Sequence, residues 1–230
     1  MELKIHDFQI SILRELLFKP GARFSDLNKV GVTNDHFTFH LGRLLKEGLV
    51  KKDRGRYSLT TEGKEFANKM DTDALQLEKQ AKLSVALHPV KIQSGKTEYL
   101  VHHRLKEPFF GWYGSISGKI RWGETPLAAA RRELLEETGL TGDLILKGIA
   151  HFHHIHKDGG FLEDKYFWVY RVENMQGDLR EKIEGGENIW MTRTQFGRLK
   201  NVFEDFDTLE RDINGRQFFY EDRVKIVDSY

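Results

Sequence analysis

Glu133, Glu136 and Glu137 stand at positions i, i+3 and i+4, a spacing that brings three carboxylates onto one face of a helix. Like charges so placed repel by roughly a few tenths of a kcal/mol. Glu136 and Glu137 also fall toward the C-terminal, negative end of that helix, where anions are disfavoured. A bound divalent cation would remove both penalties. Oxygen donors alone suit Mg2+, or Mn2+ in its place, and Mg2+ commonly bridges carboxylates to phosphates. Taken by themselves, three glutamates read more simply as a solvated acidic face; the residues around them decide.

Those residues predict the helix that presents the carboxylates. Thr125 is placed to cap it, Pro126 suits the first helical position, and Gly139 stands where a left-handed residue would close it. About thirteen residues, or roughly 20 Å, lie between these signals. Leu127, Ala130 and Leu134 supply an apolar face to pack on a sheet.

From Gly118 to Leu140 the chain reads GKIRWGETPLAAARRELLEETGL. Gly118, Glu124, Arg132-Glu133-Leu134, Glu136-Glu137 and Gly139-Leu140 keep a spacing whose chance occurrence is below about 10⁻⁸ per starting position. The segment resembles an unbroken Nudix box, the signature of enzymes that hydrolyse nucleoside diphosphates linked to another moiety. The resemblance implies a catalytic set in which Glu133, Glu136 and Glu137 hold the metal. It implies that Glu124 and Arg132 brace loop and helix by an ion pair, and that Gly118 lets the loop backbone come close. The family's usual Gly-Gly before the box is Ser117-Gly118 here, which bears on loop flexibility and not on the ligands. A further carboxylate often completes such sites. Glu184-Gly-Gly-Glu-Asn-Ile-Trp190 resembles the stretch that carries it in enzymes acting on oxidised nucleotides, so Glu184 is expected as fourth ligand or general base, with Glu187 and Glu163 as weaker candidates. The implied reaction is attack of water on a diphosphate phosphorus, assisted by metal.

Ahead of the box, His6 to Phe18 carries apolar residues at helical spacing, ended by Pro20-Gly21. A second helix is expected from Phe24 to Val30, closed by Gly31. A third runs from Thr33 or Asn34 to about Glu47, with Phe37, Leu41, Leu44 and Leu45 inward. Two short strands flank the turn Asp53-Arg-Gly55. Residues 5 to 70 resemble the winged helix-turn-helix of bacterial and archaeal transcription regulators. That resemblance implies double-stranded DNA as a partner, met by His36, Thr38, His40 and Arg43 on the third helix and by Lys51, Lys52, Arg54 and Arg56 on the wing. Thr61 to about Lys79 reads as one long helix with an apolar stripe of Phe66, Met70, Ala74 and Leu77. Its partner would be the second module or the same helix of a second subunit, and such regulators usually act as homodimers.

The expected fold is α/β (α+β): a winged helix-turn-helix at 1–70, a helical linker at 71–80 and an α/β/α sandwich of the Nudix type with a mixed sheet at 81–230. Strands are expected around Lys82–Ile92, Tyr99–Leu105, Tyr113–Ile116, Leu144–His156, Tyr166–Val172 and Ile189–Met191, with a late helix near Glu204–Ile213. Residues 216–230 fit no part of the pattern. In a strand, His151 and His153 share one face while His154 and His156 share the other. The run lacks an obvious zinc spacing and reads better as lining a cleft than as a metal centre. Trp112, Trp168 and Trp190 read as core.

Charge divides along the chain. Residues 1–70 hold 13 Lys and Arg against 9 Asp and Glu, a net of +4, and the remainder holds 23 against 26, a net of −3. Such asymmetry suggests two modules with different partners. There is no cysteine, which rules out disulfides and thiolate metal sites. No stretch reaches the ~20 apolar residues of a membrane span, and MELKIHDF lacks a signal h-region, so a cytoplasmic protein is expected. Two functions fit: a Mg2+-dependent hydrolase of a nucleoside diphosphate derivative such as ADP-ribose, a sugar nucleotide or an oxidised nucleotide, or a transcription regulator whose second module senses such a metabolite.

Overall fold

A computed structural model describes residues 5–28, 33–71 and 76–228. The chain packs as two compact units, Met1–Lys79 and Gln80–Tyr230.

The first unit gathers α1 (Asp7–Phe18), β1 (Ala22–Arg23), α2 (Phe24–Leu27), α3 (Asn34–Lys46), β2 (Val50–Asp53), β3 (Arg56–Leu59) and α4 (Thr61–Ala67), followed by the short pair β4 (Met70–Asp71) and β5 (Gln76–Leu77). Capping residues set the helix starts. The Thr33 hydroxyl accepts from His36 N at 3.4 Å, and that of Thr60 from Gly63 N at 2.9 Å. Leu13, Leu16, Phe37, Leu41, Leu44, Tyr57 and Leu59 bury themselves together as one core, so the inward face expected of α3 is the observed one. β3 lies between β1 and β2 in an antiparallel sheet.

Three expectations for this region need correction. α2 stops at Leu27, capped by Asn28; Val30 and Gly31 lie outside the described residues. α4 ends at Ala67 rather than near Lys79. Phe66 and Met70 face inward to the unit's own core, and Met70 pairs with Leu77 in a ladder. Ala74 lies outside the described residues, so the stripe is no helical seam for a second subunit. His40, expected on the outer face of α3, is only 5 % exposed. Its ring packs against those of His6, Phe8 and His36.

The second unit is built on β6 (Lys82–Gln93), β7 (Lys96–Arg104), β8 (Tyr113–Gly114), β9 (Ile116–Lys119), α5 (Pro126–Thr138), β10 (Thr141–His156), β11 (Phe161–Gln176), β12 (Lys182–Ile183), β13 (Gly186–Thr192), α6 (Arg193–Phe196), α7 (Phe206–Asn214) and β14 (Phe219–Val227). Its nine-stranded sheet runs β12-β13-β7-β6-β11-β10-β14, with β8 on β7 and β9 on β6. The sheet is mixed: β6 with β11 and β10 with β14 pair in parallel, and the other ladders are antiparallel. α5 covers one face through Ala129, Ala130 and Leu134, over Val85, Leu87, Tyr170 and Val172. α6 and α7 cover the other through Phe196, Phe206, Leu209 and Ile213. The result is a mixed α+β sandwich. Leu127, expected on the packing face of α5, is exposed, and Ala129 is fully buried in its stead. Among the described residues no helix is long and apolar enough to cross a membrane.

β14 accounts for most of the stretch that the sequence pattern left unexplained. Its Arg223 reaches inward to Asp212, Glu204 and Glu221 and lies over the rings of Phe152 and Phe219. Asp212 is 5 % exposed. Asp212 and Glu221 would keep Arg211, but removing the cation would strand the carboxylate of Glu204, at a cost of about 3–5 kcal/mol. Arg223→Ala should therefore lose about that much stability in urea unfolding followed by fluorescence. A loss under about 1 kcal/mol, the scale of a surface pair, would show that β14 is not locked by this ion cluster.

Candidate active site

Thr125 caps α5 by accepting from Ala128 N at 3.2 Å, Pro126 opens it, and Gly139 closes it with φ of 73°. The last turn is held from outside. Asn188 Nδ2 on β13 donates to the carbonyls of Glu137 at 2.7 Å and Arg180 at 2.9 Å, and its Oδ1 meets His102 Nδ1 at 3.1 Å. Arg180 adds a bond to the Glu136 carbonyl at 3.1 Å. Polar side chains thus satisfy carbonyls that a helix end leaves open.

Arg132 organises the carboxylates. Its guanidinium grips Glu124 with two bonds of 2.8 Å, donates to Glu133 Oε1 at 2.5 Å and Glu136 Oε2 at 3.0 Å, and reaches the Lys119 carbonyl at 3.0 Å. The fork on Glu124, with the Arg121 backbone N–H at 3.0 Å, holds that carboxyl down at about 2. Glu133 is buried at 8 % exposure and lies against Gly118, where a Cβ would come within 1.8 Å of its carboxyl carbon. A side chain at 118 would have to displace the Glu133 carboxylate from Arg132. The neighbour that this glycine admits is the Glu133 carboxyl.

Glu136 is exposed and Glu137 half-buried. Burial, then the charge of Glu133, raises the Glu137 carboxyl above its ordinary range; Lys106 opposes the shift and Glu136 adds to it. Arg132 engages one oxygen each of Glu133 and Glu136. Among the described residues no hydrogen bond reaches the Glu137 carboxylate. An all-oxygen set, rich in negative charge and short of donors, fits a hard divalent cation.

A cleft of about 460 Å³ begins at Gly118 and Lys119. Lys82, Arg104, Lys106 and Lys165 add positive charge along it, and Phe109, Phe152 and Phe203 give it an aromatic wall. His154 lines it with Phe152, while His151 and His153 share the other face of β10, as expected; His156, expected beside His154, lies beyond an irregularity after His154 and does not line the cleft. Trp112, expected as core, is half-buried and packs on Phe109 and Phe203. Trp168 and Trp190 are partly buried against the core under α5.

The carboxylates outside the box differ in setting. Glu184 is exposed in the turn between β12 and β13, and among the described residues it makes no ion pair. Glu187 is half-buried, 3.8 Å from His103. Glu163 is buried in the cleft, 2.6 Å from Lys165 and 3.7 Å from Lys82. In the segment 184–190, Asn188 hydrogen-bonds the box helix. Sequence reasoning passed over it, although an asparagine among strand formers was a signal. In the first unit His36, Thr38 and Arg43 on α3 and Lys51, Lys52, Arg54 and Arg56 on the hairpin are exposed.

A family model described as NUDIX domain matches residues 85–211. An oxidized purine nucleoside triphosphate hydrolase of Danio rerio is 40 % identical over 75 residues, 32 % of this chain and 46 % of that protein, so the chain spans about half the length of that relative. A MutT protein from Bacillus halodurans superposes with a TM-score of 0.54 at 20 % identity, over 65 % of this chain and 93 % of that one. The NUDIX domain of Shewanella oneidensis NrtR, solved with ADP ribose, superposes with a TM-score of 0.51 at 17 % identity, over 66 % and 96 %.

His88, on β6 at the floor of the cleft, is buried at 5 % exposure. Burial and the Arg223 guanidinium push its pKa down from 6.5 to about 4. The unfolded chain takes up a proton below pH 6.5 that the folded one refuses until near pH 4. Stability from this group is therefore complete above pH 6.5 and falls as the pH drops, by about 1.4 kcal/mol per unit. Urea unfolding between pH 7 and 4.5 should show a shallower decline for His88→Leu than for the wild type. Parallel declines would mean that His88 titrates normally.

Proposed function

The chain belongs to the NUDIX family, and from that premise we propose that it hydrolyses a diphosphate linkage in a nucleoside diphosphate derivative, with Glu133, Glu136 and Glu137 holding Mg2+. The observation that carries this reading is an under-bonded carboxylate face whose Gly118 and Lys119 neighbours open into a basic, aromatic-walled cleft. Bound Mg2+ would neutralise charge developing on the diphosphate and lower the pKa of an attacking water. The chain's own groups divide the remaining work. Arg132 and Glu124 keep Glu133 against Gly118. Lys82, Arg104, Lys106 and Lys119 are placed to meet phosphate oxygens, and Phe109 and Phe203 offer faces on which a base can stack. The likeness to a hydrolase of oxidised purine nucleotides puts such triphosphates on the list of substrates with ADP-ribose and sugar nucleotides. Glu184 and Glu163 are the candidates for a carboxylate that handles the proton of the attacking water. Glu163, engaged by two ammonium groups, is better suited to accept hydrogen bonds from a base edge.

Hydrolysis of a panel of these nucleotides with Mg2+, comparing wild type with Glu137→Gln, tests the reading. Turnover that falls by at least about 100-fold in the variant is expected. Glu184→Gln should fall comparably if that residue is the base, and near-normal turnover would remove it and turn attention to Glu163→Gln. A wild type that cleaves nothing while ligands raise its unfolding temperature would leave a sensor rather than an enzyme.

A second activity rests on the first unit. We propose that it is a winged helix-turn-helix that meets double-stranded DNA through His36, Thr38 and Arg43 on α3 and Lys51, Lys52, Arg54 and Arg56 on the hairpin; the exposure of all seven supports this. His40 is left out because it is buried. Affinity for duplex DNA should fall steeply as salt rises, and Lys51→Ala with Lys52→Ala should flatten that slope. No binding to any duplex at low salt would end the idea.

A further inference from the structure

We propose that His151, His153 and Asp164 form a site for one borderline divalent ion, Zn2+ or its Co2+ and Ni2+ analogues, on the face of β10 opposite the cleft. His151 and His153 are two residues apart on one strand, so both rings leave the same side of the sheet, and their centroids lie 4.1 Å apart. Asp164 comes from the neighbouring strand, where the register sets it directly across from His153. Its Oδ1 is 2.7 Å from His151 Nε2 and 3.6 Å from His153 Nε2. One donor atom from each residue falls within 4.8 Å of the other two. Ligands of a tetrahedral ion with bonds of about 2.0–2.1 Å stand roughly 3.3 Å from one another. The observed separations bracket that value, so small rotations of the side chains complete the site.

His151 Nε2 hydrogen-bonds Asp164 Oδ1, and an ion bound between them would take the place of that proton; the surroundings beyond suit a ligating imidazole. A ligating histidine usually passes its second ring N–H to a carboxylate, which fixes the ring and its tautomer. His151 Nδ1 does this to Asp222 Oδ1 at 2.8 Å, and the Tyr220 hydroxyl donates to the same oxygen at 3.1 Å. Tyr166 stacks on the ring at 3.8 Å and 8°. His151 is buried, whereas the Asp164 side chain is 45 % exposed and that of His153 26 %, so the fourth position opens to solvent. Two nitrogens and one oxygen favour a borderline transition ion over Mg2+, which keeps this site chemically separate from the glutamates of α5. Among the described residues none of these side chains contacts Glu133, Glu136 or Glu137.

Chelator-treated protein is given Zn2+ in a large excess of Mg2+, freed of unbound metal by gel filtration and analysed for zinc, with Co2+ as a spectroscopic substitute. One ion per chain should be retained, with a Co2+ absorption band in the visible and an unfolding temperature raised above that of the metal-free chain. Glu137→Gln should keep all three properties. His153→Ala and Asp164→Ala, both at partly exposed positions, should lose them while unfolding near the wild-type temperature without metal. Failure of the wild type to retain zinc, or retention that survives both substitutions, would overturn the proposal.

Discussion

Two of the three carboxylates of α5, Glu133 and Glu136, sit side by side because a single guanidinium is divided between them and Glu124 in the loop before the helix. Arg132 has donors enough for Glu124, Glu133, Glu136 and the Lys119 carbonyl at once. An ammonium in its place would reach only part of this set, since the fork geometry is what allows simultaneous bonds. The consequences run outward. Glu133 can remain buried, β9 is bound to the helix through a backbone atom, and a side chain at Gly118 would push Glu133 out of the network. Gly118 and Lys119 belong both to this network and to the lining of the cleft, so the contacts that hold the carboxylate face also hold part of the cleft wall.

Much of this was legible in the residues themselves. Thr125, Pro126 and Gly139 mark the bounds of α5 because caps act within one turn and depend on few neighbours. The brace between Glu124 and Arg132 could be read from spacing, with the family resemblance to interpret it. Contacts that join distant strands were not legible. Asn188 meets α5, and Arg223 meets Asp212 and Glu204, only because the sheet order brings β13 and β14 to those places. Asp164 joins His151 and His153 through a ladder register that no periodicity within β10 discloses.

The misreadings have physical causes too. Phe66, Met70 and Leu77 keep helical spacing, but core burial outweighed propensity and left the first two residues on opposite sides of a helix end. His40 falls on the outward side by simple counting, yet it is drawn under His6 and Phe8 at the start of α1. A helical wheel shows which residues share a face and not how far a neighbouring element overhangs it. From His151 to His154 the alternation on β10 holds, and it hands two different tasks to successive histidines.

The parallel pairing of β14 with β10 also bears on the order in which the second unit assembles. β10 and β11 meet across a local turn, whereas His151 and Asp222 are 71 residues apart. Closing so long a loop is entropically costly and slow compared with forming the hairpin. Until β14 arrives, the outer edge of β10 has no ladder partner, which makes it a template for pairing with another chain. An edge of β10 that waits for β14 is thus one at which aggregation competes with folding.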